Sequence, residues 1–220
     1  MATKTYFLNF ILICSSFQLF AQSDEQLLSD WTKKNELLLL KNNDIIESSW
    51  FQEACLDLAK QLELTQIKQC QLLDSTSINA FVFNNGHVYF TNSMMRLINN
   101  KYQWASILAH ETAHLVLQHY LKTLKKVKKP GFFFPKRKIN KRLKQNELEA
   151  DEWAKNKLLE FKMDANQIYY FLKRVESNRS KPKNNTHLKA SKRIQVPKKE
   201  ELIDEPLINS LKKILLLSSN

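Results

Sequence analysis

The residues best suited to chemistry are the five from His110 to His114, which read His-Glu-Thr-Ala-His. In a helix, side chains four positions apart lie on the same face. His110 and His114 can therefore present two imidazole nitrogens to one metal ion, with Glu111 beside it. The alternative is a core helix with two hydrogen-bonded histidines and no metal, and the motif alone leaves both interpretations open.

A second stretch downstream supplies carboxylates on a predicted helix. A catalytic zinc site of this kind needs a third protein ligand and leaves the fourth position for water. Glu147 and Asp151 are four positions apart, and helical periodicity places Glu147 on the apolar side but Glu149 nearer the charged side. A carboxylate on an apolar face is costly unless it is paired or bound to metal. Glu147 is therefore the expected third ligand. Without the His-Glu-Thr-Ala-His motif beside it, a carboxylate in this position would more often form a salt bridge.

Three motifs follow one another along the chain in a characteristic order. They are the run from Asn79 to His119 (NAFVFNNGHVYFTNSMMRLINNKYQWASILAHETAHLVLQH), ELEAD at 147–151, and Thr186-His187 followed by Arg193-Ile194. This order resembles the HtpX and CAAX-prenyl-endopeptidase family of zinc metallopeptidases, in its soluble exported branch. The resemblance implies an α+β fold, a mostly helical zincin-like domain with a small sheet or hairpin beside the HExxH helix. It also implies zinc-dependent hydrolysis of protein or peptide substrates, with one Zn²⁺ per chain.

The resemblance also implies roles for individual residues. His110, His114 and Glu147 would bind the zinc ion, and Glu111 would be the catalytic base. Asp151 would accept a hydrogen bond from a ligand histidine, with His110 the expected donor, and so fix the tautomer of that ring.

Three more positions match the family, and the resemblance defines their roles less closely. His187 would lie on a loop that closes over the site and contact the metal or a developing oxyanion, and Arg193 would brace that region. The proline that the family has after the late histidine is Leu188 here. His119 matches an extra histidine of the family, for which a simple polar contact near the helix end is the alternative.

The elements that must position these residues can be predicted from periodicity. Residues 24–64 indicate two amphipathic helices, and the aromatic and β-branched runs around Asn85-Gly86 predict a β-hairpin. Helices are expected over Lys101–Leu124, Ile139–Met163 and Asn166–Glu176. We expect an extended substrate to add a strand to an edge of the small sheet, at His87 to Phe90.

The start of the chain predicts export. Residues 1–21 carry Lys4, an apolar stretch from Tyr6 to Phe20 and then Ala21, as a signal peptide does; an uncleaved membrane anchor is the alternative. We therefore expect a periplasmic or secreted protein, and the resemblance to the exported branch of the family implies a role in envelope or secreted protein quality control. The metallopeptidase domain is expected over 22–200, followed by an amphipathic tail over 201–220. Cys55 and Cys70 are consistent with a disulfide or with two buried thiols.

Composition narrows the choice of function. Only two glycines occur, which excludes glycine-rich phosphate loops. The net charge of +12 comes largely from eleven Lys or Arg residues between Leu121 and Asn146, and an exposed basic excursion is expected over 121–138. The rival function is a catalytically silent zinc-containing module whose Lys- and Phe-rich segment contacts a membrane or an acidic partner. A nucleic-acid partner is not expected, because the signal peptide directs the chain away from nucleic acid.

Overall fold

Seven helices and four strands lie within residues 23–127 and 136–178, which are the parts of the chain that the computed structural model describes. The helices are α1 (Asp24–Lys41), α2 (Ser49–Gln61), α3 (Asn92–Met95), α4 (Lys101–Val116), α5 (His119–Val127), α6 (Lys136–Glu160) and α7 (Gln167–Asn178). The strands are β1 (Asp44–Ile46), β2 (Gln69–Asp74), β3 (Ala80–Val82) and β4 (His87–Thr91). The structure is thus mostly helical with a small mixed sheet, which confirms the predicted α+β class. The predicted signal peptide and the predicted tail over 201–220 lie outside the described residues.

The sheet has the strand order β1-β2-β4-β3. Strands β3 and β4 form the predicted antiparallel hairpin, whereas β2 and β4 are parallel. The hairpin turn requires glycine, since Gly86 has a φ of +88° and an added Cβ would lie 2.3 Å from the carbonyl oxygen of Gln66. Strand β1, which pairs with β2, was not predicted, because three residues are too few to show a clear alternation.

The prediction that His87 to Phe90 form an edge strand was wrong. Strand β4 pairs with β2 on one side and with β3 on the other, so it is internal to the sheet. Its residues from Val88 to Thr91 are buried, as expected for an interior strand. Among the described residues, β1 and β3 are the edge strands.

The main core lies between the sheet and helices α2 and α4. The ring of Trp104 stacks on Phe51 with centroids 5.4 Å apart and meets Phe90 edge-on at 6.2 Å. A disulfide joins Cys55 of α2 to Cys70 of β2, with their Cα atoms 6.2 Å apart, which decides between the two alternatives for these cysteines. The core therefore anchors α4, the helix that carries His110 and His114.

The long helix predicted over Lys101–Leu124 is interrupted. Helix α4 ends at Val116, and α5 begins at His119 after Gln118 adopts a φ of +54°. Apolar residues at 117, 120, 121 and 124 keep a helical spacing through the break, so periodicity gave no signal for it. The change of direction is what lets His119 approach His114.

The expected basic excursion over 121–138 is partly helical. Leu121 is buried while Lys122, Lys125 and Lys126 are exposed, so this part of the basic segment forms an amphipathic helix rather than a loop. Helix α6 begins at Lys136, three residues before the predicted start. Only 128–135 of the excursion lie outside the described residues.

Helix α6 packs along α4 through small side chains. Ala109 of α4 forms a buried cluster with Ala154 and Leu158 of α6 and with Ala165. Small residues let the two helix backbones approach closely, so that side chains of α6 can reach the histidines of α4. Within the described residues, no helix is both long and apolar enough to cross a bilayer.

Candidate metal centre

His110 and His114 lie one helical turn apart on the buried face of α4. Their Nε2 atoms are 3.2 Å apart, and both side chains are almost completely covered. The helix is fixed at its start by Asn100, whose side chain accepts a hydrogen bond from the backbone N–H of Gln103. Two imidazole nitrogens therefore converge on one point, as the spacing predicts.

Glu147 of α6 completes a three-residue cluster. Its Oε2 lies 3.8 Å from Nε2 of His110, and its Oε1 lies 3.7 Å from Nε2 of His114. One donor atom from each of the three residues falls within 4.8 Å of the others. Zinc held tetrahedrally at its usual bond lengths separates its ligand atoms by roughly 3.3 Å, so both the donor types and the spacing fit zinc.

In each histidine, the ring nitrogen that faces away from the cluster contacts another side chain. Nδ1 of His110 lies 2.9 Å from Oδ1 of the buried Asp151. Nδ1 of His114 lies 3.1 Å from Nδ1 of His119, whose Nε2 lies 3.1 Å from Oε2 of Glu149. Partners of this kind orient metal-binding rings and fix their tautomers.

Burial favours the neutral form of the His114 and His119 rings. Desolvation, followed by the proximity of His110, lowers the pKa of His114 to about 3. Burial also lowers the pKa of His119, although Glu149 opposes the shift. A neutral imidazole has a lone pair to offer a metal, so the environment favours the form that coordinates.

A cleft opens in front of the cluster. It encloses about 340 Å³ and is lined by Glu111 together with the three candidate ligands, Trp31 and Tyr120. The ring of Trp31 stacks on Tyr120 with centroids 4.7 Å apart. Burial, and then the charges of Glu111 and Glu147, raise the pKa of Tyr120, so its hydroxyl keeps its proton at neutral pH.

A smaller apolar cavity adjoins the cleft. It encloses about 60 Å³ and shares Asn79, Ala80, His110, Glu111 and Glu147 with the larger cleft. Its remaining lining is apolar: Met94, Ile107, Ile168, Phe171, Leu172 and Val175. Because Ala80 begins strand β3, the edge of the sheet runs beside both cavities.

One segment of the chain is similar to a known protein family. It contains helix α4, the β3–β4 hairpin and the disulfide-linked strand β2. Residues 46–134 match peptidase family M48. The matched segment contains His110, Glu111, His114 and His119 but ends before Glu147 and Asp151. The third candidate ligand therefore rests on the structure and not on the family match.

A curated relative gives the same indication over a shorter segment. Over 48 residues the chain is 40% identical to a protein of Bos taurus described as "Metalloendopeptidase OMA1, mitochondrial". The aligned segment covers 22% of this chain and 9% of the bovine protein. The similarity is thus confined to a fraction of each protein.

The structure brings together most of the residues that the sequence singled out. Asp151 lies against His110, as expected, and Glu111 lies in the cleft beside the three candidate ligands. His187 and Arg193 lie outside the described residues, so their predicted roles remain predictions.

Sequence reasoning missed three contributors to the site. Glu149 was assigned to the charged face of its helix, and its contact with His119 depends on the break between α4 and α5. Trp31 and Tyr120 line the cleft from α1 and α5, which periodicity could identify only as apolar positions.

Proposed function

We propose that this protein is a zinc-dependent endopeptidase. The observation that carries the proposal is the convergence of His110 Nε2, His114 Nε2 and the Glu147 carboxylate, with Glu111 lining the same cleft. Two neutral imidazoles and one carboxylate are a donor set of catalytic zinc sites, which keep one position open. The similarity to peptidase family M48 supports metallopeptidase activity.

The chain's own residues have separate parts in the reaction. When bound, zinc would supply Lewis acidity toward a scissile carbonyl and lower the pKa of water at its open position. Glu111 takes a proton from the attacking water and later donates it to the leaving amine. Asp151 holds the ring of His110 with its Nε2 lone pair toward the metal.

Peptide substrate binds in an extended conformation along strand β3. Ala80 to Val82 form an edge strand among the described residues, and Ala80 lines both cavities around Glu111. An added strand there would place a peptide bond near the candidate ligands and an apolar side chain near the smaller cavity. This replaces the earlier assignment of the edge to His87–Phe90.

The protein works outside the cytoplasm, in envelope or secreted protein quality control. The predicted signal peptide motivates this location, and the disulfide between Cys55 and Cys70 supports it, because disulfides persist mainly in oxidising compartments. The resemblance to exported zinc metallopeptidases points the same way. The residue range 22–200 remains the proposed extent of the catalytic domain.

Removal and return of metal tests the proposed function. Purified mature protein is expected to bind about one zinc ion per chain, to degrade casein, to lose that activity with a zinc chelator and to regain it with added Zn²⁺. Stoichiometric zinc without any hydrolysis would contradict the peptidase assignment and favour a zinc-containing binding module. Hydrolysis that survives complete metal removal would contradict the zinc mechanism.

A further inference from the structure

His119 is enclosed by protein although it is not one of the candidate metal ligands. Its side chain is about 1% exposed, and both of its ring nitrogens have a partner. Nδ1 lies 3.1 Å from Nδ1 of His114, and Nε2 lies 3.1 Å from Oε2 of Glu149. His119 therefore connects Glu149 to the back of a metal-binding ring.

We propose that Glu149 and His119 form a hydrogen-bonded chain that fixes the tautomer of His114 and directs its Nε2 lone pair toward the metal. This inference rests on the proposed zinc site. It assigns His119 and Glu149 as positioning residues, because each acts on the metal through His114.

Only one arrangement of protons fits the chain when Glu149 is ionised. An ionised carboxylate accepts hydrogen bonds and cannot donate them, so Nε2 of His119 must donate to Glu149. A neutral imidazole has one donor and one acceptor, so Nδ1 of His119 then accepts. The proton between the two rings therefore belongs to Nδ1 of His114, which leaves the lone pair on Nε2 of His114.

The opposite arrangement would prevent metal binding. If His119 donated from Nδ1, its Nε2 would have to accept a hydrogen bond from a protonated Glu149, and His114 would carry its proton on Nε2. Arg142 opposes this, since its Nη1 lies 3.8 Å from Oε1 of Glu149 and favours the ionised carboxylate.

The fold creates this contact through the break between α4 and α5. In an uninterrupted helix, a residue five positions after His114 would point about 140° away from it. The positive φ of Gln118 turns the chain so that His119 returns to the face of His114. Helix α6 then holds both ligand histidines, His110 directly through Asp151 and His114 indirectly through Glu149.

Metal affinity of four variants tests the chain. Glu149→Gln and His119→Phe should each weaken zinc binding by about 10- to 100-fold, measured by competition with a chromogenic chelator. Because the two residues act in series, the double variant should bind zinc no more weakly than His119→Phe. The control is Glu152→Gln, which removes an equivalent charge from an exposed position of α6 and should change affinity less than twofold.

The tautomer itself provides a readout that needs no metal and no activity. In ¹⁵N-histidine-labelled, metal-free protein at pH 7.5, His114 should carry its proton on Nδ1. In Glu149→Gln the amide can donate as well as accept, so His114 should become a mixture of tautomers while thermal unfolding is unchanged.

Two results would contradict the proposed hydrogen-bonded chain from Glu149 through His119 to His114. One is an unchanged zinc affinity and an unchanged His114 tautomer in Glu149→Gln, and the other is a double variant whose loss is the product of the single losses. A wild-type protein that binds zinc without cleaving peptides would contradict the proposed function alone. If wild type bound no zinc, the tautomer measurement would still decide whether the chain exists.

Discussion

Oδ1 of Asp151 lies 2.9 Å from Nδ1 of His110, the ring nitrogen opposite the one that faces Glu147. The carboxylate is buried on α6, and the ring is buried on α4. When Asp151 is ionised its carboxylate can only accept a hydrogen bond, so this contact then places the proton of His110 on Nδ1 and the lone pair on Nε2. The packing of two helices thus determines which nitrogen of His110 can bind metal.

Replacing Asp151 by asparagine should weaken zinc binding by about 10- to 100-fold, because the ring loses a charged partner that orients it and increases its basicity. The dissociation constant from chelator competition measures the effect. Asp57→Asn, at an exposed position of α2, is the control and should leave affinity unchanged. An Asp151→Asn protein that binds zinc as tightly as wild type would show that the contact is only structural.

The stability of the metal-free protein should fall as the pH drops from about 6.5 toward 3. The folded protein keeps His114 neutral down to a pKa of about 3, whereas the unfolded chain takes up a proton near pH 6.5. Protons therefore bind the unfolded state preferentially, which lowers the free energy of unfolding by up to about 1.4 kcal/mol for each pH unit in this window.

Urea denaturation of metal-free wild type and His114→Gln measures this pH effect. The variant cannot titrate at position 114, so its stability should depend less steeply on pH over the same window. Equal slopes for the two proteins would contradict the lowered pKa of His114.

Removing the disulfide should destabilise the protein without changing the metal site. The bond closes a loop of sequence separation 15, for which the chain-entropy relation gives about 3 kcal/mol. The double variant Cys55→Ala/Cys70→Ala should lose about this free energy of unfolding in urea, while its zinc affinity remains that of wild type. A loss below about 1 kcal/mol would show that the bridge adds little to the core around it.

Trp31 should affect substrate binding more than the chemical step. Its ring stacks on Tyr120 in the wall of the cleft, and it comes from α1, which lies outside the segment that matches family M48. Trp31→Ala should raise KM about tenfold with a smaller change in kcat, because apolar contact area is lost along the cleft. Leu37→Ala, at a position of α1 that is 70% exposed, is the control. An unchanged KM would exclude this wall from substrate binding.

The sequence correctly predicted those parts of the site whose geometry depends on the spacing of nearby residues. The i and i+4 spacing correctly placed His110 and His114 on one face of a helix. The same periodicity placed Glu147 on the apolar face of its helix, where it faces the histidines. The hairpin followed from Asn85-Gly86, since its turn needs a positive φ at glycine. These features depend on a few adjacent residues.

Features that depend on contacts between distant segments could not be read from the sequence. Strand β4 was predicted at the edge of the sheet, but β3 lies there because β2 pairs with β4 in parallel. The sequence gives no sign of that pairing. The contact of Glu149 with His119 needs the turn at Gln118, a residue type that seldom adopts positive φ. The disulfide likewise depended on how α2 packs against β2.

The measurement that tests the central claim most directly compares peptide hydrolysis by zinc-loaded wild type and Glu111→Gln at equal zinc content. Glu111 lines the cleft and is not one of the three clustered ligands, so the variant should keep its zinc and its thermal stability. Its kcat should fall by about 10²- to 10⁴-fold, because glutamine cannot accept the proton of the attacking water. Hydrolysis by the zinc-loaded variant at the wild-type rate would contradict the proposed metallopeptidase mechanism.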